Sequence, residues 1–151
     1  MFQINLPPYE TNIRQQNGRS QIFDILRRRY VALTPEEWVR QHFIHFLIDH
    51  KGYPSALMAN EISLSVNGMW RRCDSVLFSK LNSPRMIMEY KAPSVKITQS
   101  VFSQINAYNQ VLRVPYLVVS NGMQHYCCFI DYEQNAIRYL TDIPAYSDLK
   151  P

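Results

Sequence analysis

The sequence predicts a mixed α/β (α+β) domain in which two helices flank a central mixed β-sheet. The expected core order is helix, three strands, helix, strand, with extra strands at both ends. Two observations support this prediction: apolar residues recur at helical spacing in two segments, and short β-rich runs between them are separated by turn signals such as Asn-Gly. The length of 151 residues suits one domain. Apolar residues make up 46% and charged residues 19%, which is typical of a folded protein.

The N-terminal segment carries the first turn signal. Asn17 and Gly18 form a two-residue hairpin signature within residues 11–31, flanked by residues able to extend. We therefore expect residues 1–30 to form a hairpin extension packed on the core, and residues 31–151 to form the main domain.

Charge and cysteine content restrict the class of protein only loosely. The formal net charge of +4 is compatible with a polyanionic partner, and the run from Arg27 to Arg29 is interpreted as a solvated face. Cys73, Cys127 and Cys128 form neither a disulfide framework nor a zinc motif, so buried reduced thiols are expected. No apolar run approaches the roughly 20 residues that span a bilayer, and the N-terminus lacks a secretory signal. The expected location is the cytoplasm, with no membrane partner.

The first helix is predicted over residues 35–51. Thr34 can cap it, Pro35 suits the first helical position, and two acids follow near the positive end of the helix dipole. Gly52 supplies the stop signal.

The remaining elements follow from period-2 runs, helical spacing and turn residues. The strands are predicted over residues 57–66, 69–78, 85–91, 116–120, 124–130 and 137–140, and the second helix over residues 96–112. The first three of these strands form an antiparallel meander. Trp38 and Trp70 are interpreted as core residues, because they lie on an amphipathic helix and a central strand.

Three chemically active side chains are expected at one end of this meander. If the second hairpin turn centres near Leu81 and Asn82, Asp74 lies opposite Glu89. Alternation of side chains then places Lys91 on the same face as Glu89. Two adjacent carboxylates repel, and a hard cation such as Mg²⁺ relieves that repulsion while binding phosphate oxygens and water. The set predicts phosphodiester hydrolysis.

The alternative for these residues is a surface ion pair on a strand, and an isolated E-x-K tripeptide would favour it. The conjunction favours the active-site interpretation: an acid at the start of one strand, E-x-K at the end of the next, and a helix before and after.

Several stretches resemble one known family. Cys73-Asp74 with Glu89-Tyr90-Lys91 resembles the PD-(D/E)xK nuclease motif, and residues 104–108 (QINAY) resemble the QxxxY motif of its RecB-like branch. This chain is similar to the family of N-terminal nuclease domains in type I restriction enzyme R subunits. Three stretches carry the similarity: LTPEEWVRQHFIHFLI, RRCDSVLFSK and MIMEYKAPSVKITQSVFSQINAYNQVLRVPYLVVSNG. The resemblance implies a restriction-endonuclease-like core.

The same resemblance implies roles for individual residues. It makes Asp74 and Glu89 ligands of Mg²⁺, with Mn²⁺ able to substitute, and Lys91 the catalytic lysine. It places Gln104 and Tyr108 on the second helix facing the site, and their i, i+4 spacing agrees with a shared helix face; the alternative is that Tyr108 belongs to the core.

An acid on the first helix often completes the metal site in this family. Glu36 is favoured here over Glu37, and both could instead be partners of the helix dipole.

Two departures from the family pattern bear on function. Cys73 stands where the motif name has proline, and the chain has no G-x-x-x-x-G-K-[ST] loop, so neither ATP nor a translocating motor is expected. The chain is then a stand-alone homologue or an excised domain. Its expected substrate is double-stranded DNA, and other restriction-modification subunits are candidate partners. The alternatives are a DNA-binding or assembly module with little cleavage alone, and a nuclease for branched or damaged DNA.

Overall fold

The computed structural model describes residues 2–151, except the side chains of Val66 and Tyr108. Within that part of the chain two α-helices and nine strands form. The elements are β1 Ile13–Gln16, β2 Arg19–Asp24, β3 Arg29–Ala32, α1 Pro35–Lys51, β4 Met58–Val66, β5 Met69–Phe78, β6 Pro84–Tyr90, α2 Gln99–Leu112, β7 Tyr116–Ser120, β8 His125–Asp131 and β9 Ala136–Leu140. Neither helix is long and apolar enough to cross a membrane.

The main sheet has six strands in the order β4-β5-β6-β7-β8-β9. Strands β6 and β7 run parallel and the other neighbours run antiparallel, so the sheet is mixed. Helix α2 makes the crossover between β6 and β7, as a parallel pair requires. The predicted order of helix, three strands, helix and strand is confirmed.

Helix α1 begins and ends where its sequence signals predict. The Thr34 side chain accepts a hydrogen bond from the Glu37 N–H, and Pro35 occupies the first turn. Gly52 adopts a left-handed conformation (φ 74°) that ends the helix, and its N–H donates to the Leu47 carbonyl.

The two helices cover opposite faces of the main sheet. Residues of α1 such as Phe43 and Leu47 share one buried cluster with Met88 and Tyr90 of β6. Residues of α2 such as Phe102 and Ile105 pack in a second cluster with other sheet residues. The two clusters show which face of the sheet each strand residue occupies. The three cysteines are free and buried, as expected.

Two sequence predictions are corrected in this region. Helix α2 starts at Gln99 instead of Lys96, because Thr98 is the residue that caps it, accepting from the Val101 N–H. Trp70 is 73% exposed and is therefore not a core residue. It lies near the tip of the β4–β5 hairpin, where β5 extends beyond its pairing with β6.

The N-terminal segment forms a separate three-stranded sheet, β1-β2-β3. The hairpin about Asn17 and Gly18 is confirmed, and β3 adds a strand to it. The arginine run is only partly a solvated face. Arg27 forms ion pairs with Asp24 and Glu37, because its position after β2 faces the start of α1. The boundary between residues 1–30 and the main domain stays a prediction.

Candidate active site

The second hairpin of the main sheet brings Asp74 and Glu89 together. The β5–β6 ladder pairs Ser75 with Met88, so the next opposed positions are Asp74 and Glu89. The Asp74 Oδ2 accepts a hydrogen bond from the Tyr90 N–H at 2.9 Å, and the carboxyl groups of Asp74 and Glu89 hydrogen-bond each other. The register expected from the sequence therefore occurs.

Asp74 lies in the middle of β5 and not at its start. Residues 69–73 continue past the end of the β5–β6 ladder and pair only with β4. This overhang carries Arg71, whose Nη2 donates to the Glu89 Oε1 at 2.7 Å. A cation therefore already neutralises part of the charge of the carboxylate pair.

The alternation of side chains in β5 breaks at Asp74. Cys73 and Val76 pack in the same buried cluster, although positions three apart on a regular strand face opposite sides. In β4, the residue that faces this break is Glu61, which has a φ of 54°. The β4–β5 ladder pairs Asn60 with Ser75 and Ile62 with Cys73 but omits the rung between them. Asp74 keeps the parity of Val76 and so lies on the side of Glu89, and the kink brings Arg71 to that side as well.

Arg40 contacts this kink from the face of the sheet that α1 covers. Its Nη1 donates to the backbone carbonyl of Asp74 at 3.0 Å, and its Nη2 donates to the Glu61 Oε1 at 2.6 Å. Sequence reasoning missed this residue. The available signal was a charged residue beside the apolar stripe of a helix, since a buried guanidinium needs charged or polar partners.

The contact between Asp74 and Glu89 affects the pKa of Glu89. Burial, then the charge of Asp74 and its hydrogen bond, raise the pKa of Glu89 to about 8, while Arg71 opposes this rise. Burial, reinforced by Glu89, also raises the pKa of the Cys73 thiol to about 12, so that residue stays neutral.

Lys91 follows β6 directly. Its N–H donates to the Ser120 carbonyl of β7 at 2.8 Å, which extends the parallel pairing by one residue. Two positions beyond Glu89, it has the same strand parity as that residue. The side chain is partly exposed, and no described side chain forms an ion pair or hydrogen bond with its ammonium group.

The predicted QxxxY residues are only partly placed. Gln104 lies on α2, whose apolar residues cover the same sheet face as Cys73, and its side chain is exposed. Tyr108 lies on the same helix, but its side chain is outside the described part of the structure. Their roles stay predictions.

The acids at the start of α1 do not join Asp74 and Glu89. Glu36 is exposed. Glu37 is buried, and its oxygens accept from Arg27 at 2.8 Å and from Gln41 at 2.9 Å. Within residues 2–151, apart from the two undescribed side chains, no three His, Cys, Asp or Glu residues group as a metal site. A ligand role for Glu36 therefore has no geometric support.

The donor set fits a magnesium ion held by two protein ligands. Mg²⁺ usually keeps several waters and binds proteins through one or two carboxylates. Asp74 and Glu89 supply two adjacent carboxyl groups, and burial and the charge of Asp74 raise the pKa of Glu89 to about 8. A divalent cation would relieve the repulsion between the two groups.

Comparison with known proteins agrees with the fold. A fragment structure from Vibrio vulnificus YJ016, described as an HsdR subunit of a type I restriction enzyme, superposes with a TM-score of 0.54. The two are 18% identical over 78% of this chain, which shows a shared fold. This chain spans 24% of that chain. No curated protein matches.

A family model matches most of the chain. The model described as "Type I restriction enzyme R protein N terminus (HSDR_N)" matches residues 35–144, from the start of α1 to beyond β9. That range contains Asp74, Glu89 and Lys91. The chain therefore belongs to the family of type I restriction enzyme R protein N-terminal domains.

Proposed function

We propose that this chain is a metal-dependent deoxyribonuclease domain that hydrolyses phosphodiester bonds of double-stranded DNA in a restriction system. One observation carries the proposal: the carboxyl groups of Asp74 and Glu89 hydrogen-bond each other at the end of β6, where Lys91 follows. Membership of the R protein family supports the same conclusion.

Asp74 and Glu89 would hold Mg²⁺, with Mn²⁺ able to substitute. The bound ion supplies an activated water and withdraws charge from the scissile phosphate. Lys91 donates hydrogen bonds to the attacking water or to the negative charge that develops on the phosphate. Arg71 is a second cation next to Glu89, and it limits the repulsion between this carboxylate and DNA.

The test compares cleavage with binding. Purified wild-type protein is incubated with supercoiled and linear DNA in Mg²⁺, Mn²⁺ or chelator, and DNA affinity is measured separately. Lys91→Ala should abolish cleavage and leave affinity nearly unchanged, because one phosphate contact among several contributes modestly. Lys96→Ala is the matched control, since this lysine is exposed outside the secondary-structure elements. Cleavage that persists in Lys91→Ala would refute the assignment.

A second candidate is a DNA-binding or assembly module that cleaves little without other restriction-modification subunits. The observation favouring it is that this chain corresponds to only 24% of the structural neighbour. It predicts no metal-dependent cleavage by the wild type at any protein concentration, and DNA affinity that is insensitive to Lys91.

A further inference from the structure

We propose that Arg40 is a positioning residue that holds the Asp74 carboxylate in place for the metal, by occupying the missing rung of the β4–β5 ladder. The inference rests on the proposed function, because it concerns the same metal site. Arg40 itself contacts neither the metal nor DNA in this proposal.

The kink at Asp74 needs a stabilising partner. The ladder between β4 and β5 lacks the rung between Asn60–Ser75 and Ile62–Cys73. Glu61 there has a φ of 54°, a left-handed conformation that costs a residue other than glycine about 1 kcal/mol or more. The break also leaves the Asp74 carbonyl to be satisfied, and an unpaired buried carbonyl is costly.

Arg40 donates hydrogen bonds to both residues at the break. One arm of its guanidinium binds the Asp74 carbonyl, and the other binds the Glu61 carboxylate across the break. Its Nε lies 3.3 Å from the Glu37 Oε2 on its own helix. The residue is 6% exposed, so these contacts form away from bulk water. The rigid fork of arginine serves two acceptors in one plane, which a lysine cannot do.

The consequence for the site is geometric. The Asp74 carboxylate is fixed from two directions, by the Tyr90 N–H at its Oδ2 and by Arg40 at its own backbone carbonyl. Without Arg40, Glu61 and Asp74 could return to regular strand geometry. Counted from the Ser75–Met88 rung, regular alternation would turn Arg71 away from Glu89, and the backbone of Asp74 would lose its anchored position next to that carboxyl group. A displacement of about 1 Å at a reacting group lowers rates about 100-fold.

Arg72 provides a matched control on the same acid. Its Nε donates to the Glu61 Oε2 at 2.9 Å, but its contacts do not include the Asp74 carbonyl. Arg72→Gln therefore removes an arginine from Glu61 without removing the proposed support of Asp74. Arg40→Gln removes both arms, and Arg40→Lys keeps the charge without the fork.

The experiment measures Mn²⁺ affinity by electron paramagnetic resonance of the free ion, together with kcat and KM for DNA cleavage. Each variant is assayed where urea denaturation shows it to be folded. Arg40→Gln should weaken Mn²⁺ binding about 10–100-fold, the usual effect of losing a partner that orients a ligand. It should lower kcat while leaving KM for DNA nearly unchanged. The Mn²⁺ affinity and kcat of Arg40→Lys should lie between those of wild type and Arg40→Gln. For Arg72→Gln both quantities should stay within about twofold of wild type.

The outcomes separate this proposal from the proposed function. Wild-type protein that neither binds Mn²⁺ nor cleaves DNA contradicts the proposed function itself. If wild type does both, and folded Arg40→Gln binds Mn²⁺ as tightly as Arg72→Gln, the positioning role is wrong. Should Arg40→Gln fail to fold, Arg40→Lys decides, because wild-type Mn²⁺ affinity in that variant overturns the proposal.

Discussion

Glu89 combines burial with two charged neighbours of opposite sign. It is 7% exposed, its carboxyl hydrogen-bonds that of Asp74, and Arg71 donates to its Oε1. The raised pKa means that folding without a cation favours the protonated form. The proposed divalent cation would offset this cost, so the protein is expected to be less stable without it.

This arrangement predicts how stability depends on pH. The folded pKa of Glu89, about 8, lies above its ordinary value of 4.5, so its contribution to stability is fully present below about 4.5 and is lost as the pH rises through 8. Glu89→Gln removes that loss. Without metal, its Tm should exceed that of wild type by about 3 °C or more at pH 8, since one pKa unit corresponds to about 1.4 kcal/mol.

Thermal unfolding in chelator from pH 4.5 to 8 checks this prediction. The gain of Glu89→Gln over wild type should grow steadily across that range. Glu133→Gln, at an exposed position, should show a flat difference. A flat difference for Glu89→Gln as well would mean that the pair carries no buried proton.

At the scale of elements, local signals predicted most of the fold. Thr34, Pro35 and Gly52 define α1 because caps act within one helical turn. The Asp74–Glu89 register followed from counting residues about the turn. The overhang of the β4–β5 hairpin and the kink at Glu61 were not predictable, because both depend on contacts distant in sequence. Trp70 is exposed for a related reason, because it lies in the part of β5 that extends beyond the pairing with β6.

The turn between β7 and β8 provides a second prediction. Gly122 has a φ of 84°, and an added Cβ would lie 2.8 Å from Ile4 Cγ2 and 3.1 Å from Val39 Cγ2. Gly122→Ala should therefore cost about 1–3 kcal/mol more than backbone strain alone. Gly68→Ala is the matched control, because Gly68 has a φ of 79° and nothing within 4 Å of its added Cβ. Equal urea midpoints for the two variants would contradict the predicted clash.

At the scale of the whole molecule, one buried acid links the two sheets. Asp24 at the end of β2 is 0% exposed. Its carboxylate accepts from Asn60 Nδ2 of β4 at 3.1 Å, and it also forms an ion pair with Arg27. Arg27 in turn binds Glu37, which lies beside Arg40. The N-terminal sheet is therefore connected through a continuous polar network to the residue that binds the Asp74 carbonyl.

Asp24→Asn tests this connection through stability. Removing one member of a buried ion pair costs about 3–5 kcal/mol. Burial would raise the pKa of Asp24, but bonds from Arg27, Asn60 and the Arg27 and Leu26 N–H groups outweigh it and hold the pKa below its usual value. Its contribution is therefore fully present above about pH 4 and is lost as the pH falls through the folded pKa. The stability deficit of Asp24→Asn in urea denaturation should be full at pH 7 and shrink below pH 4.

Asp131→Asn is the matched control, since Asp131 caps a similar turn through the Glu133 and Gln134 N–H groups without an ion pair to any described residue. It should lose less than about 1 kcal/mol, and an equal loss in both variants would show that the turn, and not the link between the sheets, accounts for the effect.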